Sequence, residues 1–461
     1  MNIFSLSIAY IKQNKLSAFL NVLLLSLGIG TIIILLLFSH QFENNLSNNS
    51  KDIDAVVGAK GSPIQLILSS VFHIDAPTGN ISMQEAISVL DMQAVEHAIP
   101  LALGDSYHGF RIIGTTVSYP NHYGAQLQKG QYWNKNFEVV IGSEVAKTEN
   151  LELGDHIISS HGIRSGGPEH EDQPFTVTGI LKNTDTVLDR VILTGVPSVW
   201  AIHHHQDADA DNHEHEHENE HDDGNDEELN HDHDEQHTEN ESEQHGHEEH
   251  TESHEHDSEK EHKADSESGK YFSFMNPENM DQELTAMLIT YRSPMAATSF
   301  PGTINRETDM LAAAPGFEIA RLLSMLGIGL DAISVFGFVL IVTATLGVFI
   351  TLYNALKERK YDLAIMRTMG GSRFTLMNIL LLEGLILATG GALLGIGLGH
   401  AAITVLGEAF YQARQFDLTG WIWLTSEFWL LLAALGIGII SSLIPAIQAY
   451  RTDISATLAH H

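Results

Sequence analysis

Residues 354–373 read Asn-Ala-Leu-Lys-Glu-Arg-Lys-Tyr-Asp-Leu-Ala-Ile-Met-Arg-Thr-Met-Gly-Gly-Ser-Arg and separate two long apolar stretches, 326–352 and 374–398. Each stretch is long enough to cross the hydrocarbon core of a bilayer, about 30 Å thick, as a helix of about 20 residues. The segment between them is rich in Lys and Arg, and short loops with this bias stay on the cytoplasmic side. The sequence therefore predicts two membrane spans joined by a cytoplasmic loop.

The loop has a pattern of its own, because apolar residues recur in it at roughly helical spacing. They are Leu356, Leu363, Ile365, Met366 and Met369, and the pair Gly370-Gly371 follows them. A glycine after such a pattern is typical of a helix end. We predict an amphipathic helix along the inner membrane face. A solvated loop with anchoring cations is the alternative.

The run from Glu358 to Ser372, followed by Glu383-Gly384 and a glycine-rich span, resembles the signature of ABC-transporter permeases of the MacB/FtsX/LolC type. The resemblance implies that 355–369 is a coupling helix that docks on a separate ATPase subunit, and that the permease is a homodimer. Glu383 matches the acidic residue of the signature, and we expect it to pair with another helix or subunit inside the membrane. The candidate coupling residues are Lys357, Glu358, Arg359, Lys360, Arg367 and Arg373.

Two further apolar stretches, 16–38 and 428–450, complete a set of four predicted spans. Lys12 and Lys15 precede the first stretch, and no small-x-small cleavage pattern follows it, so we expect an uncleaved span rather than a signal peptide. The distribution of Lys and Arg places both termini in the cytoplasm and leaves only Arg414 in the outer loop 407–427. The predicted location is the bacterial inner membrane. Asp331 and His400 then fall near the outer ends of their spans.

The residues between the first two spans form one large extracytoplasmic block of mixed pattern. We predict helices over 64–72 and 83–89, and strands over 109–117, 137–142, 175–181 and 284–291. Segments 139–155 and 175–190 resemble the periplasmic core of the same permeases. The predicted fold is an α-helical membrane protein with four transmembrane helices, one before and three after a large α+β periplasmic domain. The domains are 1–39 (first span), 40–202 with 271–322 (periplasmic), 203–270 (insertion) and 323–461 (three spans).

The insertion 203–270 differs sharply in composition from the rest of the chain. Residues 206–268 hold 27 Asp and Glu against 2 Lys, which is most of the formal net charge of −35. With hardly any apolar residue, the segment cannot offset a backbone ordering cost of roughly 1–2 kcal/mol per residue, so we predict disorder. We call this segment the His/acid tract.

The tract holds sixteen histidines, and imidazole is a ligand that zinc, nickel and copper accept. We predict several weak zinc sites rather than one closed site, because an acidic and flexible segment imposes no fixed geometry. The alternative is a solvated linker in which the histidines are incidental. The candidate ligands are His203, His204, His205, His213, His215, His217, His221, His231, His233, His237, His245, His247, His250, His254, His256 and His262.

Histidines are also scattered through the rest of the periplasmic block, and we interpret each as a structural residue. Those six are His73, His108, His122, His156, His161 and His170. The pair His161 and His170 is the best candidate among them, since it flanks a turn with three nearby carboxylates.

Several classes of function lack support in the sequence. No Gly-x-x-x-x-Gly-Lys-Ser/Thr motif occurs, so ATP would have to be hydrolysed by a partner, and the absence of Cys excludes disulfides and thiolate sites. No nucleophile–base constellation indicates an enzyme, and we predict no catalytic residue, no catalytic cofactor and no nucleic-acid partner. We predict a permease subunit linked to zinc or another divalent metal, with a possible periplasmic partner. The alternatives are lipoprotein or peptide extraction or efflux with an incidental tract, and a metal sensor or chaperone without an ATPase.

Overall fold

The structure is a computed structural model that describes residues 3–162, 173–202, 272–412 and 418–451. Four of its helices are long and apolar enough to cross a membrane. The predicted spans all fall inside these helices, and the four-span fold is confirmed. The His/acid tract and His170 lie outside the described residues. The four long helices are α2 (Lys15–Asn49), α9 (Pro315–Glu358), α11 (Arg373–Gln412) and α12 (Thr425–Arg451).

Glycines allow the long helices to approach each other closely. A Cβ atom added to Gly395 of α11 would lie 2.8 Å from the carbonyl oxygen of Ser26 in α2. A Cβ added to Gly384 would lie 2.9 Å from the carbonyl oxygen of Gly438 in α12. Small residues at such crossings bring helix backbones into contact, which is how membrane helices pack without a hydrophobic driving force. The bundle therefore has α11 at its centre, packed on both α2 and α12.

The extramembrane domain, residues 51–314, is built on one mixed sheet of eleven strands. Its central order is β13-β1-β12-β3-β4-β10-β6-β9-β5, while β7 pairs with β9 and β8 pairs with β3. A separate two-stranded sheet joins β2 to β11. The strands are β1 (Ala55–Ala59), β2 (Ile81–Ser82), β3 (Val95–Tyr107), β4 (Phe110–Thr115), β5 (Leu127–Gly130), β6 (Glu138–Ile141), β7 (His156–Ile157), β8 (Ser160–His161), β9 (Phe175–Leu181), β10 (Val191–Gly195), β11 (Glu283–Leu284), β12 (Ala286–Tyr291) and β13 (Met310–Ala313).

Short helices cover the sheet and enclose its apolar faces. The helix α4 (Met83–Leu90) begins with a capping box. The hydroxyl of Ser82 accepts a hydrogen bond from the Glu85 amide, and the Glu85 carboxylate accepts one from the Ser82 amide. The predicted helices and strands are present within a few residues of their expected bounds. The helices of the domain are α3 (Pro63–Ser70), α4 (Met83–Leu90), α5 (Ser118–His122), α6 (Ser143–Thr148), α7 (196–202) and α8 (Ala296–Glu307), with 3-10 turns at Val187–Arg190 and Pro277–Asn279.

Two of the long helices continue past the membrane into the domain. The predicted boundaries at 39/40 and 322/323 fall inside α2 and α9, which run without a break to Asn49 and from Pro315. Both extensions contribute side chains to the same apolar cluster in the domain core, Leu46 from α2 and Ile319 from α9. A helix need not end at the edge of the hydrocarbon when its next turns can be buried in protein.

Two shorter helices complete the bundle at the end opposite the domain. They are α1 (Ile3–Gln13), which precedes the first span, and α10 (Lys360–Thr368), which lies between α9 and α11. We call this end the loop side and the other end the domain side. The helix α1 does not figure among the sequence-based predictions.

Candidate functional site: the two ends of the helix bundle

The helix α10 lies within 355–369, the segment that the sequence predicts as one coupling helix, but it starts only at Lys360, because residues 355–358 are the last turn of α9. It ends as predicted, because Gly370 has a φ of +98° and the amide of Gly371 donates to the carbonyl of Met366 at 2.9 Å. The amide of Gly370 donates to the carbonyl of Arg367, which completes a Schellman motif. A residue with a Cβ would be strained at Gly370.

One face of α10 packs against the bundle and the other is exposed. Leu363 and Ala364 are buried, and Leu363 belongs to an apolar cluster formed by α9, α11 and α12. Ile365 is 37% exposed and Met369 is 82% exposed, although both belong to the predicted apolar pattern. The helix therefore offers apolar side chains on the surface as well as in the core.

Most of the predicted coupling residues surround α10. Lys357 is exposed near the end of α9, with its Nζ 4.7 Å from the centre of the Tyr353 ring, and Glu358 is the last residue of that helix. Arg367 is partly exposed on α10, and Arg373 is exposed at the start of α11. The side chain of Lys360 lies outside what the structure describes.

Arg359 has a different position from the one expected of a docking residue. Its side chain is only 5% exposed and points into the bundle, where Nη1 lies 3.4 Å from Oε2 of Glu383 on α11. Its Nη2 donates to the carbonyl of Tyr10 at 3.1 Å, and its Cζ lies 4.1 Å from the centre of the Tyr10 ring. The sequence groups Arg359 with the docking cations, and the structure corrects this because a buried carboxylate and a ring hold the guanidinium inside.

Glu383 is 3% exposed and pairs with Arg359, the residue that joins α9 to α10. The partner that reasoning from the sequence misses is Tyr10, whose pKa is raised by burial although the charge of Arg359 acts in the opposite sense. The helix α1 that carries Tyr10 is held on α11, because the hydroxyl of Ser7 donates to the carbonyl of Ile379 at 3.3 Å. The apolar residues between Ile3 and Ile11 are the signal that could have indicated this helix.

On the domain side, Asn49 joins α2 to two separate parts of the extramembrane domain. It is 3% exposed, and its Oδ1 accepts a hydrogen bond from the amide of Val187 at 2.8 Å. Its main-chain carbonyl accepts a hydrogen bond from the hydroxyl of Tyr123 at 2.7 Å. The last residue of the helix therefore holds the loop after α5 and the turn before β10 at the same time.

A buried uncharged network continues from this contact. Tyr123 packs edge-on against Tyr119, and the hydroxyl of Tyr119 lies 2.7 Å from Nε2 of His73. Burial lowers the pKa of His73 to about 3, and the positive charge of Arg111 adds to the effect. His73 is therefore neutral at physiological pH, in agreement with its interpretation as a structural histidine.

The other histidines of the domain are engaged in pairs rather than in clusters. Nδ1 of His161 lies 3.1 Å from Oδ1 of the buried Asp105, and Nδ1 of His108 lies 2.7 Å from Oε2 of Glu149. Over residues 3–162, 173–202, 272–412 and 418–451, no group of three or more His, Asp or Glu side chains is arranged to hold a metal ion. The candidate zinc ligands of the His/acid tract all lie outside these ranges.

The other two ionisable residues that the sequence places in the spans, Asp331 and His400, lie on their domain side. Nε2 of His400 is 3.0 Å from Oε2 of Glu427, and Nδ1 of His400 is 2.5 Å from the carbonyl of Gly420. A cavity of about 600 Å³ opens beside this pair and is otherwise mostly apolar, with Trp421 at its rim. Asp331 is exposed on α9. Each of these groups thus lies near an end of the bundle, where the sequence predicts it.

Two sequence-family models agree with this architecture. The sequence model of the MacB-like periplasmic core domain matches residues 18–212, and the model of the FtsX-like permease C-terminal region matches residues 334–454. Among solved structures, the chain is similar to the periplasmic region of MacB from Actinobacillus actinomycetemcomitans, at 15% identity over 34% of this chain and 70% of that chain, with a TM-score of 0.23. It is also similar to the extracellular domain of the noncanonic ABC-type transporter YknZ from Gram-positive bacteria, at 15% identity over 32% of this chain and 75% of that chain, with a TM-score of 0.21.

A comparison with curated protein sequences gave no match. The two family models together account for most of the chain: one matches the first span with the first part of the extramembrane domain, and the other matches most of the region of the last three spans, in the order predicted from the sequence. The chain belongs to the ABC-transporter permeases of the MacB/FtsX type.

Proposed function

We propose that this permease couples ATP hydrolysis by a separate ABC ATPase subunit to a change in its periplasmic domain. It acts in the inner membrane as a homodimer, with α10 and both termini in the cytoplasm. The observation that carries the proposal is the continuity of α9, which is separated by a single residue from β13 at its start and by a single residue from α10 at its end. At 1.5 Å per residue, its 44 residues make one rod about 66 Å long. Movement of α10 would therefore reach the periplasmic sheet through a single helix.

The exposed face of α10 supports the contact with an ATPase. Ile365 and Met369 give it an apolar centre, and Lys357 and Arg373 add positive charge at its borders. Interfaces with this composition bind through buried apolar side chains, while charges at the rim steer the approach of the partner. The same cations favour the cytoplasmic side of the membrane.

Met369→Glu tests the docking surface, with Met295→Glu as the matched control. Both methionines are highly exposed, at 82% and 74%, but Met295 lies in the periplasmic domain. When the permease is co-expressed with an ABC ATPase subunit from the same genome, we expect Met369→Glu to abolish copurification and stimulated ATP hydrolysis. The Met295→Glu protein should behave as the wild type. Unchanged copurification of Met369→Glu would contradict the proposal.

The orientation has its own test. A reporter that is active only outside the cytoplasm should work when fused near Ser268 and fail when fused near Gly371. The opposite pattern would reverse the topology and remove α10 from reach of a cytoplasmic ATPase.

We also propose that the periplasmic event concerns zinc or another divalent metal, collected by the His/acid tract. The support is the density of imidazole and carboxylate groups in the tract. The described residues on its two sides lie together on the domain, because Trp200, before the tract, packs edge-on against Phe274, after it, with ring centres 5.4 Å apart. Nε1 of Trp200 donates a hydrogen bond to the carbonyl of Glu283 in β11, which holds these flanking residues on the domain.

Calorimetry on a peptide spanning 203–262 tests metal binding, with the same peptide carrying Asn in place of every His as the control. We expect several weak zinc sites in the first peptide and none of comparable strength in the second. Because ligand imidazoles must be neutral, zinc uptake should weaken as the pH falls through about 6.5. No zinc binding at neutral pH would support the alternative, in which the tract is a solvated linker and its histidines are incidental. The permease would then fit lipoprotein or peptide extraction or efflux.

A further inference from the structure

We propose that Arg359 is a positioning residue that sets the direction in which α10 leaves α9, through contacts with Glu383 and Tyr10. We call these three residues the Arg359 joint. The consequence for coupling rests on the proposed function of α10 as the helix that contacts the ATPase. The geometry of the joint does not depend on that function and can be tested without an ATPase.

Arg359 is the only residue between the two helices. Its amide donates to the carbonyl of Ala355, which closes α9, and its carbonyl accepts from the amide of Leu363, which opens α10. Its backbone, with φ −101° and ψ 10°, is outside the regular helical range, so the chain changes direction here. Fixing the side chain of this residue therefore fixes the angle between the helices.

The side chain is held by two other elements. The guanidinium reaches Glu383 on α11 with one nitrogen and the carbonyl of Tyr10 on α1 with another, while its Cζ lies over the Tyr10 ring. Such use of separate nitrogens and of the ring needs the planar fork of Arg, which Lys does not have. Ser7 of α1 donates a hydrogen bond to α11. Both contacts of the guanidinium therefore fix the position of α10 relative to the central helix α11.

A contribution to stability alone is a weak explanation for this arrangement. Buried ion pairs are often matched or exceeded in stability by apolar residues of similar volume, because removing two charges from water is costly. The neighbouring cations Lys357 and Arg373 instead lie over aromatic rings at the surface. Among Lys357, Arg359 and Arg373, only Arg359, at the turn between the helices, is directed inward, which is where an anchor would control the angle.

Distance measurements between spin labels test the joint directly. The chain has no Cys, so Thr368→Cys at the end of α10 and Ile440→Cys on α12 introduce the only two labelling sites. Both positions are exposed, and neither belongs to the joint. When the labelled full chain is mixed with an excess of unlabelled chain in lipid nanodiscs, a dimer carries at most one labelled copy, and we expect one narrow distance distribution. Glu383→Gln should shift it or at least double its width, whereas Glu358→Gln, an equal charge change at an exposed carboxylate, should leave it unchanged.

A second variant covers the case in which Glu383→Gln does not fold. The double variant Arg359→Met/Glu383→Gln removes both charges, so no unpaired charge stays buried. We expect it to fold and to show the same broadened distribution. A distribution with both the mean distance and the width of the wild type, in either variant that folds, would overturn the proposal.

The complex with the ATPase gives a readout that a purely structural role would not move. We expect the double variant to bind the ATPase with unchanged affinity, because Ile365 and Met369 are untouched, while the stimulated kcat falls at least tenfold. A loss of affinity with unchanged kcat would contradict positioning by the joint. Failure of wild-type α10 to bind any ATPase would instead contradict the proposed function and leave the distance result standing.

Discussion

The two ends of the helix bundle are stabilised by different kinds of interaction. At the loop side, one buried ion pair and an aromatic ring hold the turn between α9 and α10. At the domain side, uncharged hydrogen bonds from Asn49 and an apolar cluster containing Leu46 hold α2 to the domain. A charge pair depends on the presence of both partners, whereas an apolar cluster spreads its stabilisation over many contacts. The loop side is therefore the more sensitive end to single substitutions.

The largest effect should follow from removing one partner of the ion pair. Arg359→Met leaves the carboxylate of Glu383 buried without a counter-charge, and breaking a buried pair in this way costs about 3–5 kcal/mol. Unfolding free energies in mixed micelles titrated with denaturing detergent measure this loss. Lys357→Met is the control, since this neighbouring cation is exposed and should change stability by less than about 0.5 kcal/mol. Equal losses of unfolding free energy in the two variants would contradict the greater sensitivity of the loop side to single substitutions.

The next effect is a pH dependence at the domain side. The pKa of His73 is lowered to about 3 in the folded protein, against about 6.5 in an unfolded chain, so between these values the unfolded state binds one more proton. Stability therefore rises with pH in this window and is lost as the pH falls below about 6.5. The slope is about 1.4 kcal/mol per pH unit, which amounts to about 2 kcal/mol between pH 6.5 and pH 5.

The variant His73→Gln should remove that part of the slope. Urea unfolding of the periplasmic domain within the full chain, followed by tryptophan fluorescence at pH 6.5 and pH 5, measures it. His122→Gln is the matched control, because His122 is a partly buried histidine whose ring packs edge-on against Tyr123 of the same network, and it should keep the wild-type slope. An unchanged slope in His73→Gln would mean that His73 is not the group that binds the proton on unfolding.

A smaller effect should follow from replacing Asn49, whose side-chain amide joins α2 to the domain. Asn49→Ala leaves the buried amide of Val187 without its acceptor, and an unsatisfied buried donor costs about 1–3 kcal/mol. Asn48→Ala is the control, because Asn48 is the same residue type one position earlier and is exposed. Hydrogen exchange of the Val187 amide should increase in the first variant and stay unchanged in the second. Protection retained in Asn49→Ala would show that another group satisfies this amide.

The sequence predicts the spans and the α+β class well, because spanning length and β-branched patterns are local properties of the chain. The direction of a side chain at a helix junction is not a local property and cannot be predicted in the same way. Arg359 is one cation among several in a basic loop, and its inward position depends on Tyr10, which is about 350 residues earlier. Likewise, no residue near Asn49 in the sequence indicates that it will form hydrogen bonds with Tyr123 and Val187. The contacts that hold both ends of the bundle can therefore be identified only from the three-dimensional fold.

The smallest effect should follow from deleting residues 206–268, because none of the contacts described at either end of the bundle involves the tract. Trp200 and Phe274 already lie in contact, so a short Gly-Ser linker can join the chain without moving the sheet. We expect the unfolding free energy of the domain and the Thr368–Ile440 distance distribution to change within error, while zinc binding by the full chain is lost. The matched control replaces the tract with a Gly-Ser segment of equal length, which separates loss of the histidines from the shortening of the loop. Loss of folding in the deletion alone would mean that the domain needs the length of the tract, and loss in both would mean that the tract is part of the domain fold.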